Sequence, residues 1–113
     1  MKPHPLADQS LDLAVETVRL CDSIERYAVL KNQLLRSATS IGANIHEGVY
    51  ASSGGDFVNK YQIALKECFE TEYWLQILKR VGIAEANAVS SLMHRCGNIR
   101  RMLIASITTA KQG

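Results

Sequence analysis

Glu67, Glu70 and Glu72 crowd one stretch of the chain, and carboxylates that close together are first of all candidate metal ligands. Helix bundles that hold two iron or manganese ions combine inward-facing glutamates with a Glu-x-x-His pair on two of the helices. No Glu-x-x-His occurs here. His46 and His94 each stand alone on the polar side of their segments, and His4 belongs to the N-terminal tail. Cys21, Cys68 and Cys96 fall on apolar stripes of three different segments, without Cys-x-x-Cys or the paired Cys/His spacing of a zinc site. Free cysteines in such positions act as small hydrophobes, and an odd number of them is not a disulfide framework. A phosphate-binding glycine loop and a nucleophile elbow are also missing. No metal, no cofactor and no catalytic activity are therefore expected.

Recognition chemistry has more to work with. At 100° per residue, Gln33, Arg36, Ser37, Ser40, Asn44 and Glu47 fall within a sector of about 100°. This polar strip borders the apolar one instead of opposing it. Its groups must find partners, because an unsatisfied buried polar group costs about 1–3 kcal/mol. The strip is either a recognition surface or a hydrogen-bond network joining helices or subunits. The network is the expectation, with Asn44 and Glu47 bonding across a boundary. Arg100 shares the angle of Cys96, Leu103 and Ile107, on the core side of its segment. An arginine there requires an anion. An ion pair with Glu47 or Glu67 is expected ahead of a phosphate site. Arg95, Asn98 and Arg101 share an outer face beside His94. In one copy this is a modest solvated patch, but repetition around an oligomer adds avidity for a polyanion.

Long helices must position these residues. Both prolines, Pro3 and Pro5, precede Leu6, so nothing interrupts helices over the rest of the 113 residues. With 47% hydrophobic and 21% charged residues, the chain is neither disordered nor fibrous, and 1–113 reads as one domain. No apolar run approaches the roughly 18 residues of a membrane span, and no signal-peptide stretch is visible. A cytoplasmic protein without membrane contact is expected. The net charge of +2 divides into −2 over residues 1–56 and +4 over residues 57–113, a mild basic bias.

Periodicity marks four helices. The first is expected over about Asp8–Cys21, burying Ala7, Leu11, Ala14, Val18 and Cys21. The second is expected to start at Asp22, with Asp22 and Glu25 as a capping box, and to end near Tyr50. Its stripe is Leu30, Leu34, Ala38, Ile41 and Ile45. The third follows a Ser53–Asp56 cap and ends at Gly82 as a left-handed cap, burying Phe57, Tyr61, Ala64, Cys68, Thr71, Leu75 and Leu78. It carries a second stripe, Ile63, Trp74, Ile77 and Val81, which one bundle cannot fully bury. That stripe is the candidate oligomer interface, with Trp74 as anchor. The fourth runs from about Glu85 to Ala110 on Val89, Leu92, Met93, Cys96, Ile99, Leu103 and Ile107. Gly97 at its middle implies a neighbouring backbone packed close. The sum is an all-α, antiparallel up-down-up-down four-helix bundle.

Two segments carry a resemblance: LKNQLLRSATSIGANIHEG over Leu30–Gly48 and DFVNKYQIALKECFETEYWLQIL over Asp56–Leu78. They are similar to the four-helix-bundle proteins encoded in intervening sequences of bacterial 23S rRNA genes. The pattern Ser40-Ile41, Asn44-Ile45, Glu47-Gly48 is the specific part. The same superfamily includes the accessory variability determinant (Avd) of diversity-generating retroelements. The resemblance implies a homopentamer without catalysis. It implies either a scaffold for RNA or ribonucleoprotein, or an accessory protein that binds a reverse transcriptase and its RNA. The residues expected to meet nucleic acid are Arg95, Arg100 and Arg101, with Lys60 and Lys66. Contacts should go to phosphate, since Phe57, Tyr61 and Trp74 are assigned to core and interface and no stacking platform is foreseen.

Overall fold

The computed structural model describes residues 4–113, so Pro3 lies outside the described residues. It holds four helices in chain order: α1 Pro5–Asp22, α2 Ala28–Val49, α3 Gly54–Val81 and α4 Ala86–Gln112. Consecutive helices pack side by side, and α4 closes the square against α1. The bundle measures 45 × 26 × 20 Å. Four antiparallel helices bring both termini and the α2–α3 turn to one end, and the α1–α2 and α3–α4 turns to the other.

Helix α1 starts earlier than its apolar period. Pro5 occupies the first turn, where its missing N–H is no loss, and the His4 ring accepts from Ala7 N at 3.1 Å. The expected capping box at Asp22 does not form, because Asp22 is the last residue of α1. Residues 23–27 make the turn, and Ile24 plugs the end of the core. Helix α2 begins at Tyr27, whose φ of 65° is left-handed and whose side chain makes no capping bond. Helix α3 starts as expected, with Ser53 Oγ accepting from Asp56 N at 3.1 Å, and ends at Gly82 with φ 74°. Glu85 caps α4 by accepting from Asn87 N and Ala88 N at 3.0 and 2.7 Å.

The core stripes of α2, α3 and α4 lie inward, with Leu34, Ile41, Ile45, Leu75, Ile99 and Leu103 fully buried. Helix α1 is rotated from its expected setting. It buries Leu6, Ser10, Leu13, Thr17, Leu20 and Cys21, leaving Leu11 63% and Val18 51% exposed. The chain offers α1 two apolar stripes, and the hydroxyls on the chosen one are satisfied locally. Ser10 Oγ donates to the Ala7 carbonyl at 3.0 Å, and Thr17 Oγ1 to the Leu13 carbonyl at 2.7 Å. Burying them costs little, while the longer Leu6-Leu13-Leu20 series fills the core.

Gly97 also departs from expectation. No backbone crowds it, and an added Cβ would meet only guanidinium ends of Arg100 and Arg101 at 3.5–3.7 Å. The close approach is at Gly48, where a Cβ would fall 2.6 Å from Cε1 of Tyr61. Tyr61 itself is buried and packs at 4.2 Å against the Phe57 ring.

Candidate assembly and nucleic-acid interfaces

The polar strip of α2 faces α3 and ties the two helices. Arg36 reaches Glu67 Oε2 at 3.0 Å and also pairs with Glu70, while Gln33 accepts a long 3.4 Å bond from the same arginine. In the fully buried layer beneath, Thr71 Oγ1 lies 2.8 Å from Ser37 Oγ and 2.8 Å from the Glu67 carbonyl. Further down, Glu47 pairs with Lys60 at 3.0 Å. That hydrogen bond raises the Lys60 pKa. Asn44 behaves differently from its expected role. Its Nδ2 donates within α2, to the Ser40 carbonyl and Oγ at 2.9 and 3.1 Å, and joins no second helix.

Three of the five candidate nucleic-acid residues face carboxylates. Arg100 donates from Nε to Glu72 Oε1 at 2.8 Å, so its partner is Glu72 and neither Glu47 nor Glu67. The bond raises the Arg100 pKa further. Arg95 turns from the outer face toward α1, reaching Glu16 at 3.0 Å and Asp12 at 3.7 Å. Lys60 is held by Glu47. Among the described residues Lys66 and Arg101 form no ion pair; Arg101 donates to Asn98 Oδ1 at 2.6 Å. The ion pairs of Arg95, Arg100 and Lys60 leave these two as the open cations of the set.

Cys68 and Cys96 meet in the centre of the bundle, where the Cys96 thiol donates to the Cys68 carbonyl at 3.6 Å. The neighbouring Cys96 thiol and burial together push the Cys68 thiol far up. Burial also raises Cys21. Among the described residues no group of three His, Cys, Asp or Glu side chains stands close enough to hold a metal. No described helix is long and apolar enough to cross a membrane.

Two apolar surfaces remain uncovered. On α1, Leu11, Val15 and Val18 are exposed, and the groove beside them toward α2 is lined by Ala14, Thr39 and Ala43. The second lies at the far end of α2 and α3. There Trp74 lines a groove with Tyr27, Val29 and Leu30, Val29 being 77% exposed. Of the expected interface stripe, Ile63 and Val81 are exposed, and Trp74 and Ile77 are half-buried. The α1 surface is not visible from periodicity, which turns Leu11 and Val18 inward.

Phe69 and Tyr73 are 54% and 57% exposed on the outer side of α3, contrary to the expectation that no stacking platform exists. Their i, i+4 spacing was the available signal.

A sequence profile of the 23S rRNA-intervening sequence protein family matches residues 5–105. The chain belongs to the 23S rRNA-intervening sequence protein family. A crystal structure of a protein of unknown function from the S23 ribosomal protein family of Bacteroides thetaiotaomicron has the same fold. The TM-score is 0.84 at 40% identity, over 90% of this chain and 97% of that one. Comparison with curated proteins finds no match. The match to the 23S rRNA-intervening sequence proteins spans all four helices, including both uncovered apolar surfaces.

Proposed function

We propose that this protein is a non-enzymatic, homo-oligomeric scaffold that binds RNA. The observation that carries the assembly is the pair of uncovered apolar surfaces. They lie on neighbouring sides of the bundle, α1–α2 and α2–α3, and are different from each other. A contact between unlike surfaces is head-to-tail. Because the two sides are neighbours and not opposite, each step turns, which a closed ring requires. A pentamer, as the family resemblance implies, is such a ring. The RNA part rests on the family and on open cations repeated around the assembly, Lys66 and Arg101 among them.

Sedimentation should show a species several times 12.5 kDa. Val18→Lys, which places a charge in the α1 surface, should shift it toward the protomer with helix content unchanged. A clean monomer for the wild type refutes the assembly. Filter binding to structured RNA at several salt concentrations tests the second half. Replacing Lys66 and Arg101 by alanine should lower the salt slope by about 2 per engaged subunit, near one unit per phosphate contact. Undetectable binding at low salt removes the RNA reading and puts an adaptor for a protein such as a reverse transcriptase in its place.

A further inference from the structure

The outer face of α3 is built unlike the rest of the surface. At 100° per residue, Gln62, Lys66, Phe69, Tyr73, Gln76 and Arg80 lie within a sector of about 80°, and all six are exposed. The strip contains no carboxylate. Of the acids that border it, Glu72 is paired with Arg100, and Glu70 shares Arg36 with Glu67. Within the strip the charges are the two cations Lys66 and Arg80, with uncharged residues between them. Those two cations are separated by about 21 Å at 1.5 Å per residue.

Two aromatic rings occupy the middle of this span. Phe69 and Tyr73 are one helical turn apart, about 6 Å along the axis. The Arg100 guanidinium stands 5.9 Å from the Phe69 ring centroid, and Trp74 meets Tyr73 edge-on at 5.1 Å. Both exposed rings are thus held by neighbours while most of their area faces solvent. An apolar partner surface would not select glutamines and cations around the rings, whereas a polyanion with exposed π faces would. Of the uncovered apolar surfaces, the one on α1 lies elsewhere, and the groove at the far end of α2 and α3 adjoins the strip only through Trp74.

We infer that the α3 strip is a binding track for single-stranded RNA, with bases stacking on Phe69 and Tyr73 and phosphates meeting Lys66 and Arg80. The track rests on the RNA-binding reading above and names the form of RNA it takes. Duplex RNA hides its base faces, so it gains only the phosphate contacts. Gln62 and Gln76 offer amide donors and acceptors to either base edges or phosphates. Stacking on an aromatic side chain is sequence-tolerant, since every base has a π face.

The test uses the full chain and a fluorescein-labelled oligouridylate of about ten nucleotides, within the usual site size of such tracks. A duplex RNA of equal length is titrated beside it. Wild type should bind the single strand more tightly, and binding should change the fluorescence of Trp74, the only tryptophan. Each of Phe69→Ala and Tyr73→Ala should weaken single-strand binding about 5- to 150-fold, the stacking range of roughly 1–3 kcal/mol per base. Phe69→Tyr should restore it. The alanine variants should leave duplex affinity, thermal melting and sedimentation unchanged. Lys66→Ala with Arg80→Ala should reduce the single-strand salt slope by about 1.4 per engaged subunit. If the wild type binds RNA but the aromatic variants bind the single strand equally well, the track is overturned and the general RNA reading stands. If those variants alter the sedimenting mass, the face is a subunit contact and the track is overturned. If neither RNA form binds, both readings fall.

Discussion

Substituting alanine at Gly48 and at Gly97 should move stability in opposite directions. Both glycines are buried within helices, and by intrinsic propensity each replacement gains about 1 kcal/mol. The surroundings decide the sign. At Gly97 the nearest atoms to an added Cβ are guanidinium nitrogens at 3.5–3.7 Å, ordinary contact with flexible side-chain ends. The propensity gain should survive there. At Gly48 the Cβ would lie 2.6 and 2.7 Å from two atoms of the Tyr61 ring, which is 3% exposed. The ring is backed by Phe57 at 4.2 Å and cannot retreat without moving it. Overpacking of this kind costs about 1–3 kcal/mol, so after the propensity gain the net loss is up to about 2 kcal/mol. For a chain of this length, 1 kcal/mol corresponds to about 4 °C. Gly97→Ala should therefore melt about 4 °C higher than wild type, and Gly48→Ala lower by up to about 8 °C. Melting is followed by circular dichroism at 222 nm, with all proteins at one concentration because assembly contributes to stability. A Gly48→Ala protein that melts at or above wild type would refute the packing argument, as would shifts of the same sign for both variants.

Arg100→Ala leaves Glu72 half-buried without its partner. Allowing for partial exposure of the pair, it should lower stability by about 1–2 kcal/mol and do so before any effect on RNA binding is seen. The three thiols should be silent to a disulfide-exchange reagent at pH 8 in the native protein and titrate as 3 in guanidinium. The thiolate is the reactive form, and burial holds Cys21 and Cys68 away from it. Asn44→Ala removes only bonds within α2, so melting should change by less than about 1 kcal/mol. A larger loss in the oligomer would place Asn44 at a subunit boundary.

The elements that were legible were those whose local chemistry and periodicity agree. Ser53 and Asp56 announce the start of α3, Gly82 its end, and the apolar stripes of α2 to α4 need no tertiary information. Helix α1 was not legible in the same way. Its sequence offers two apolar stripes about a third of a turn apart, and the one with two hydroxyls goes inside. Periodicity weighs Ser10 and Thr17 as polar, whereas their bonds to Ala7 and Leu13 make them cheap to bury. For the candidate site, the angular position of the polar strip was readable but the pairing was not. Arg95 turns to Glu16, 79 residues away in sequence, and Arg100 chooses Glu72. A cation's availability depends on which carboxylate the packing brings within reach, and spacing along one helix carries no such information. Gly97 and Gly48 teach the same lesson, since close approach is a property of the neighbour.

The start of α2 is the most locally frustrated point of the bundle. Tyr27 holds a left-handed φ of 65°, which costs a non-glycine residue about 1–2 kcal/mol, and it supplies no capping bond. The first turn contains no acidic residue to meet the helix dipole. Neither a side-chain cap nor an acidic residue steadies the first turn at Ala28–Lys31, and in the single protomer Val29 is open to water. These amides should exchange with deuterium early, at an opening free energy far below that of the core. Conflicts of this kind collect where a surface has work to do beyond folding. Covering Tyr27, Val29 and Trp74 with another subunit would close that first turn, so protection of the amides at 28–31 becomes a local report of assembly. The slowing should follow protein concentration there, and should be absent at the Ser53 cap, which is complete within its own chain.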